Sequence, residues 1–151
     1  MMLVRDRRGG AAVEFALTLP FLILMLFAVV DLGRAVWQHH VVAKSIRDAT
    51  RYLARTPDPT STVFQGLAIN LGQRGSIDTS DAPLLGAGGD DMIAVSFQIT
   101  WVDNAAGTWR GAAMIPVVSG QASYAFKPMF GFDLVEQLTI SAGHVQRHLG
   151  E

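Results

Sequence analysis

The most uneven feature of the hydrophobic pattern is one long apolar run near the N-terminus. Residues 11–30 read AAVEFALTLPFLILMLFAVV and contain a single charged side chain. As an α-helix this run would extend about 30 Å, which is the hydrocarbon thickness of a bilayer. A short basic stretch, MMLVRDRRGG, precedes it, and Asp31 and Arg34 mark its exit. The pattern predicts a membrane-spanning helix over residues 10–31 whose basic end stays in the cytoplasm.

Beyond the apolar run, hydrophobic positions recur at steps of three, four and seven residues. They are Leu32, Val36, Ala43, Ile46, Thr50 and Leu53. This spacing predicts an amphipathic stem over residues 32–56, whose helix runs to about Arg55 and is ended by Pro57 and Pro59. Trp37 would then lie either at the level of the lipid headgroups or beneath the globular domain.

The remaining residues, 57–151, predict one small head of the α+β class outside the cytoplasm. Helical spacing indicates a short second helix over residues 64–73, and the Gly, Asp and Ser of residues 75–91 indicate a long exposed loop. Apolar and polar residues then alternate from Ile93 to Trp101, as in a half-buried strand. Two more strands are expected over about 117–126 and 138–146. We expect the three strands to form an antiparallel sheet packed on the stem.

The segment KPMFGF lies between the second and third predicted strands. It places Met129, Phe130 and Phe132 next to Pro128 and Gly131. Such a turn-like apolar stretch is either a contact with another subunit or a loop folded over the core.

Composition narrows the possible functions. Hydrophobic residues make up 50% of the chain, charged residues 17%, and the net charge is −1, so nothing indicates a broad basic surface for nucleic acid. The absence of cysteine removes disulfides and thiolate catalysis. No hydrolase, phosphate-loop or zinc-protease motif is present, and neither His39 with His40 nor His144 with His148 has a convincing ligand arrangement. We therefore expect no enzyme activity, no cofactor and no metal.

Glu14, the charged residue inside the apolar run, is the most informative position. A cut between Gly9 and Gly10 would make Gly10 the new N-terminus, Glu14 the fifth residue and Phe15 the sixth, which is the pattern of prepilin-peptidase substrates. The free ammonium at Gly10 could then meet the carboxylate of its own chain or of a neighbour.

Other interpretations of the same segment exist. A glutamate near the edge of a span can reach the headgroups or be protonated. A basic segment followed by an apolar one is also typical of a secretory signal, although this run exceeds the usual ~7–15 residues and has no good A-x-A site at its end. Pro20 predicts a kink in the membrane helix, and the hydroxyl of Thr18 is expected to bond back to the preceding turn.

Taken together, RRGGAAVEFALTLPFLILMLFAVVDLGRAVWQ resembles the N-terminal signature of TadE-like proteins. SYAFKPMFGF and LTISAGHVQRH are similar to the Phe-Lys-Pro segment and final strand of that family. The resemblance implies a minor pilin or pseudopilin-like subunit of the tight-adherence (Flp) pilus, matured by an aspartyl prepilin peptidase. It assigns Gly9 to the position before the cut, Gly10 to the mature N-terminus, and Glu14 to processing and assembly.

The resemblance also implies partners and a location. The partners are the lipid bilayer, the prepilin peptidase, other pilin and pseudopilin subunits and pilus assembly proteins. Residues 1–9 would be a leader, and the chain would cross the bacterial inner (cytoplasmic) membrane once, with its head in the periplasm or outside the cell.

Two questions stay open from the sequence. Cleavage after Gly10 would make Glu14 the fourth residue, so cleavage after Gly9 is preferred. The alternative function is an unprocessed single-pass membrane protein with an extracytoplasmic interaction domain, which would keep its leader.

Overall fold

The computed structural model describes residues 7–109, 112–129 and 138–149. A long helix, α1 (Arg7–Leu53), is followed by a second helix, α2 (Thr62–Arg74), and by one 3₁₀ turn at Gly89–Asp91. Three strands complete the described part: β1 (Ala94–Asp103), β2 (Met114–Ala125) and β3 (Thr139–Arg147). The predicted α+β class is confirmed. Residues 1–6 of the predicted leader and residues 130–132 of KPMFGF lie outside the described residues.

Helix α1 joins the predicted membrane span and stem into one element of 47 residues. It is the one helix of the described residues that is long and apolar enough to cross a membrane, and no residue of its apolar window is buried against the rest of the chain. The Thr18 hydroxyl donates to the Phe15 carbonyl at 3.1 Å, as expected. The helix ends at Leu53, ahead of the two prolines, and the Leu53 carbonyl accepts hydrogen bonds from Thr56 Oγ1 at 2.8 Å and from the Thr56 N–H at 3.3 Å.

The three strands form an antiparallel sheet in the order β1-β2-β3. Strand β2 begins at Met114, so the prediction that it starts after Pro116 is wrong. Proline has no N–H for a central strand, but here the β2–β3 ladder ends at the pair Val117 and Arg147. The Pro116 carbonyl still accepts the His148 N–H at 2.9 Å. Pro116 is paired with Trp101 of β1 but lies one residue beyond the end of the ladder with β3. Its missing N–H therefore removes no hydrogen bond from the β2–β3 ladder.

The core lies between α1 and one face of the sheet. Val42 and Ile46 of α1 pack with Ala122, Tyr124, Phe126 and Ile140, and further along α1 Leu53 and Ala54 pack with Ala68 and Val118. Leu32 and Val36 are 66% and 51% exposed, so their assignment to the packed face of the stem is wrong. Trp37 is exposed as well, so it does not pack beneath the described part of the head.

Gly120 of β2 lets α1 approach the sheet closely. A Cβ atom at this position would lie 2.3 Å from Thr50 Oγ1 and 2.9 Å from Ile46 Cδ1. Thr50 is fully buried and donates its hydroxyl to the Ile46 carbonyl at 2.7 Å, so its side chain is held in place. Any larger residue at position 120 would push the helix from the sheet.

The loop over residues 75–91 is mostly exposed, as predicted, with one exception. Leu85 is buried and joins the core cluster around Ile46 and Ile93. The Leu84 N–H donates to the Gln73 carbonyl at 2.8 Å, which folds the middle of the loop back against the end of α2. The expectation of a wholly exposed loop was therefore wrong at Leu85.

Candidate processing site and membrane-proximal junction

Gly9 and Gly10 lie in the first turns of α1. Both are exposed, and a Cβ atom at either position would meet nothing within 4 Å. Each glycine weakens a helix by about 1 kcal/mol relative to alanine, and the first turn has no intrahelical partners for its N–H groups. The peptide bond between these glycines is therefore accessible and lies in the part of α1 that unwinds most easily.

Glu14 and Phe15 follow one turn later on the same helix. Glu14 is exposed and four residues from Gly10, so the two share one face of α1. Phe15 is 58% exposed. Within the described residues no ion pair of Glu14 is present. The geometry thus brings Gly10 and Glu14 together on an open surface.

The rest of the apolar run is exposed in the same way. Large apolar side chains from Val13 to Val30 point outward, with Phe21 exposed to 74%. In a water-soluble protein such a surface would be unfavourable, because its apolar side chains would be in contact with water. It therefore needs lipid or other apolar helices around it. Helix α1 continues through Pro20 without interruption, and the expected kink there stays a prediction.

A second group of interacting residues lies where the apolar run ends. Asp31 and Arg34, three residues apart on α1, form an ion pair of 3.1 Å between Oδ1 and an Arg34 guanidinium nitrogen. The same Asp31 oxygen accepts the Met129 N–H at 3.1 Å, and the same Arg34 nitrogen donates to the Lys127 carbonyl at 3.5 Å. The Arg34 guanidinium also lies 5.8 Å from the centre of the Phe126 ring. We call this set (Asp31, Arg34, Phe126, Lys127 and Met129) the membrane-proximal junction.

The junction is extended by an ion pair to the loop before β1. Lys127 Nζ lies 2.8 Å from Asp91 Oδ1. The hydrogen bond from this ammonium lowers the pKa of Asp91, and the same hydrogen bond raises the pKa of Lys127. Phe126 is buried in the core, so the segment after β2 is part of the folded head up to this point.

Sequence reasoning identified Asp31 and Arg34 only as the exit of the span. A signal was present, because an acidic and a basic residue three apart on a helix commonly pair. Their partners could not be found locally, since Met129 is 98 residues from Asp31 along the chain. The segment KPMFGF was expected either to contact another subunit or to fold over the core. The Lys127 carbonyl contacts Arg34 of the chain's own helix, whereas Met129 keeps 62% of its surface exposed.

The histidines do not form a metal site in the part of the chain that the structure describes. No group of three or more His, Cys, Asp or Glu side chains there has ligand geometry. The rings of His39 and His40 are 6.0 Å apart and meet edge to face. His148 Nε2 lies 2.7 Å from the Thr56 carbonyl, so this side chain attaches the segment directly after β3 to the turn after α1.

The geometry of α1 can now be set beside known proteins. Residues 9–51 match the family model of TadE-like proteins. This match confirms the resemblance of the N-terminal segment, and it covers Gly9, Gly10, Glu14 and both α1 residues of the junction. The resemblance of SYAFKPMFGF and LTISAGHVQRH lies outside the matched residues and stays a prediction. TadE-like proteins are a structural kind of protein associated with the tight-adherence (Flp) pilus, not a family of enzymes. Comparison with curated proteins and with solved structures gives no match.

Proposed function

We propose that this chain is a minor pilin or pseudopilin-like subunit that a prepilin peptidase cuts after Gly9 and that serves the assembly or function of a tight-adherence pilus. The observation that carries the proposal is the TadE-like match over residues 9–51, which begins at the glycine pair and includes the whole exposed apolar helix.

The helix start supports the processing step. A peptidase has to hold its substrate in an extended form, so a bond inside a helix must first unwind. The pair Gly9 and Gly10 lowers the cost of unwinding, and neither carries a side chain that would hinder approach to the bond. Arg7 and Arg8 on one side and the apolar run on the other support a position of this bond at the cytoplasmic surface of the membrane.

Glu14 supports the assembly step. Cleavage creates an ammonium at Gly10, one helical turn from the Glu14 carboxylate and on the same face. In an apolar environment an isolated carboxylate is unfavourable, so a second subunit that presents its own N-terminal ammonium to Glu14 would be favoured. The exposed apolar side chains around Glu14 would then pack against the neighbouring helix or remain in lipid.

The assembly role is tested by replacing Glu14 with Gln in cells whose only copy of this subunit is the variant. We expect cleavage to persist and pili to be lost or strongly reduced, because the amide keeps the shape of the side chain but removes its charge. Recovery of the subunit in sheared pili and pilus counts by electron microscopy measure the effect.

Thr18→Val is the matched control in the same span. Its hydroxyl bonds to the Phe15 carbonyl of its own helix, so its loss should leave assembly intact. Normal piliation with Glu14→Gln would contradict the assembly role, and equal loss with both variants would show that the span tolerates no change of a polar side chain.

A further inference from the structure

Met129 is held at the end of the apolar run by a backbone contact. Its N–H donates to Asp31 Oδ1 at 3.1 Å, and Asp31 is the first charged residue after residues 11–30. Two further contacts, from Arg34 to the Lys127 carbonyl and to the Phe126 ring, hold the same segment on α1. Met129 therefore lies beside Asp31, the residue at which α1 leaves the apolar run.

That point coincides with the boundary of a bilayer. Residues 11–30 extend about 30 Å, which matches the hydrocarbon thickness and leaves Asp31 at the boundary with the headgroups. The backbone of Met129 then lies at the same depth. Since its side chain is 62% exposed and reaches several ångströms from the backbone, it can contact the lipid directly.

Other side chains at this end of the head have the same character. Leu138 is 42% exposed, and its carbonyl accepts the Phe126 N–H at 2.8 Å, so it lies beside the junction. Leu32 of α1, next to Asp31, is 66% exposed. We call Leu32, Met129 and Leu138 the membrane-facing edge of the molecule.

Two ion pairs lie near this edge among the described residues. Asp31 pairs with Arg34 at 3.1 Å and Asp91 with Lys127 at 2.8 Å, so the described junction presents two acidic and two basic groups that neutralise each other. These two pairs carry no net charge, so they give no net attraction for anionic headgroups. Contact with a membrane would have to come from its apolar side chains.

We propose that the membrane-facing edge is a second membrane contact: Met129 and Leu138 insert into the boundary between headgroups and acyl chains of the bilayer that α1 crosses. The occupant is the phospholipid surface itself, because among the described residues the edge continues the exposed apolar surface of α1, and the two charged residues at that point, Asp31 and Arg34, are paired. The contact would hold the head against the membrane at two points, the helix and the edge. This inference rests on the membrane-spanning helix and not on cleavage by a peptidase.

The chain contains no cysteine, so single cysteines can report depth in the full-length protein. Met129→Cys, Met114→Cys and Leu22→Cys are labelled with an environment-sensitive fluorophore in vesicles of phosphatidylethanolamine and phosphatidylglycerol that contain a nitroxide-bearing phospholipid. Met114 is the matched control, an exposed methionine at the opposite end of β2. Leu22 lies within the span and reports lipid contact of α1.

We expect strong quenching by the nitroxide lipid at positions 22 and 129 and little at position 114. The quenching at 129 should persist in vesicles without phosphatidylglycerol, because the charges of the junction are paired. Quenching at 129 no greater than at 114, with position 22 strongly quenched, would overturn the inference and leave the span intact. So would a blue-shifted but unquenched fluorophore at 129, which indicates contact with protein, or quenching that disappears without the anionic lipid.

Discussion

Gly120 is the single residue on which the packing of α1 against the sheet depends most. Replacement by Ala places a methyl group 2.3 Å from Thr50 Oγ1, which the buried helix can accommodate only by moving. Overpacking of this kind costs about 1–3 kcal/mol, so we expect the thermal unfolding midpoint of the head to fall by several degrees. The midpoint is measured by near-UV circular dichroism of the full chain in detergent.

Gly143→Ala on the adjacent strand is the control for Gly120→Ala. A Cβ atom at position 143 meets only the Gly120 carbonyl oxygen at 3.6 Å, an ordinary contact. A midpoint that falls equally for both variants would mean that the sheet, and not the approach of α1, is sensitive to the added methyl group.

Asp31 is the residue through which the end of the apolar run contacts the segment after β2. In Asp31→Asn the neutral amide loses the ion pair with Arg34 and the charge-assisted bond from the Met129 N–H. We expect faster amide hydrogen exchange at Lys127 and Met129 and unchanged exchange in β1 and β2. Asp48→Asn on the same helix should leave exchange at these two amides unaltered, and unchanged exchange in Asp31→Asn would contradict the junction.

The pair Asp91 and Lys127 gives a prediction about pH. The pKa of Asp91 is lowered from 3.8, so its contribution to stability is present above 3.8 and is lost as pH falls through the lower folded value. The pKa of Lys127 is raised from 10.5, so its contribution is present below 10.5 and is lost as pH rises through the higher folded value.

The test of this pair compares thermal midpoints of Lys127→Met and the unchanged protein over pH. We expect the thermal midpoint of Lys127→Met to be slightly lower than that of the unchanged protein. This difference should be constant through the neutral range and should disappear in strong acid and in strong alkali. Lys44→Met, an exposed lysine of α1, should show no such profile. A deficit that varies through the neutral range would indicate that another titrating group determines the stability of this segment.

At the scale of elements, the sequence predicts most of the fold because its periodicities are strong. The apolar run continues directly into helical spacing, so α1 could be predicted almost to its end, and the alternation from Ile93 to Trp101 located β1. The start of β2 was missed because a proline in a central strand is unfavourable, and only the end of the β2–β3 ladder explains how Pro116 is tolerated. Leu85 was missed because a single buried residue in a Gly-rich loop leaves no periodic pattern.

The relation between elements was less predictable than the elements themselves. Which face of α1 meets the sheet depends on the space at Gly120, and Leu32 and Val36, although correctly spaced, lie on the exposed surface of α1. The contacts of Asp31 and Arg34 join residues more than 90 positions apart, which no local pattern contains. The candidate cleavage register, by contrast, needs only Gly9, Gly10 and Glu14 in order, so it could be formulated from the sequence alone.

At the scale of the whole molecule, a single helix serves as both anchor and scaffold. Its first part exposes apolar side chains along its whole surface, and its second part buries one face against the sheet. The junction lies where these two parts meet, and the match to TadE-like proteins ends at Arg51, near the end of the same helix. One helix therefore carries both the apolar surface that a membrane requires and the face against which the sheet packs.

The measurement that tests the account most directly is the intact mass of the full chain expressed with an active and with an inactive prepilin peptidase. We predict that residues 1–9 are lost only with the active enzyme, that Gly9→Leu keeps them, and that Gly33→Leu, an exposed glycine of the same helix with free space around it, is cleaved normally. A chain that keeps residues 1–9 with both enzymes would contradict the proposal and support an unprocessed single-pass membrane protein.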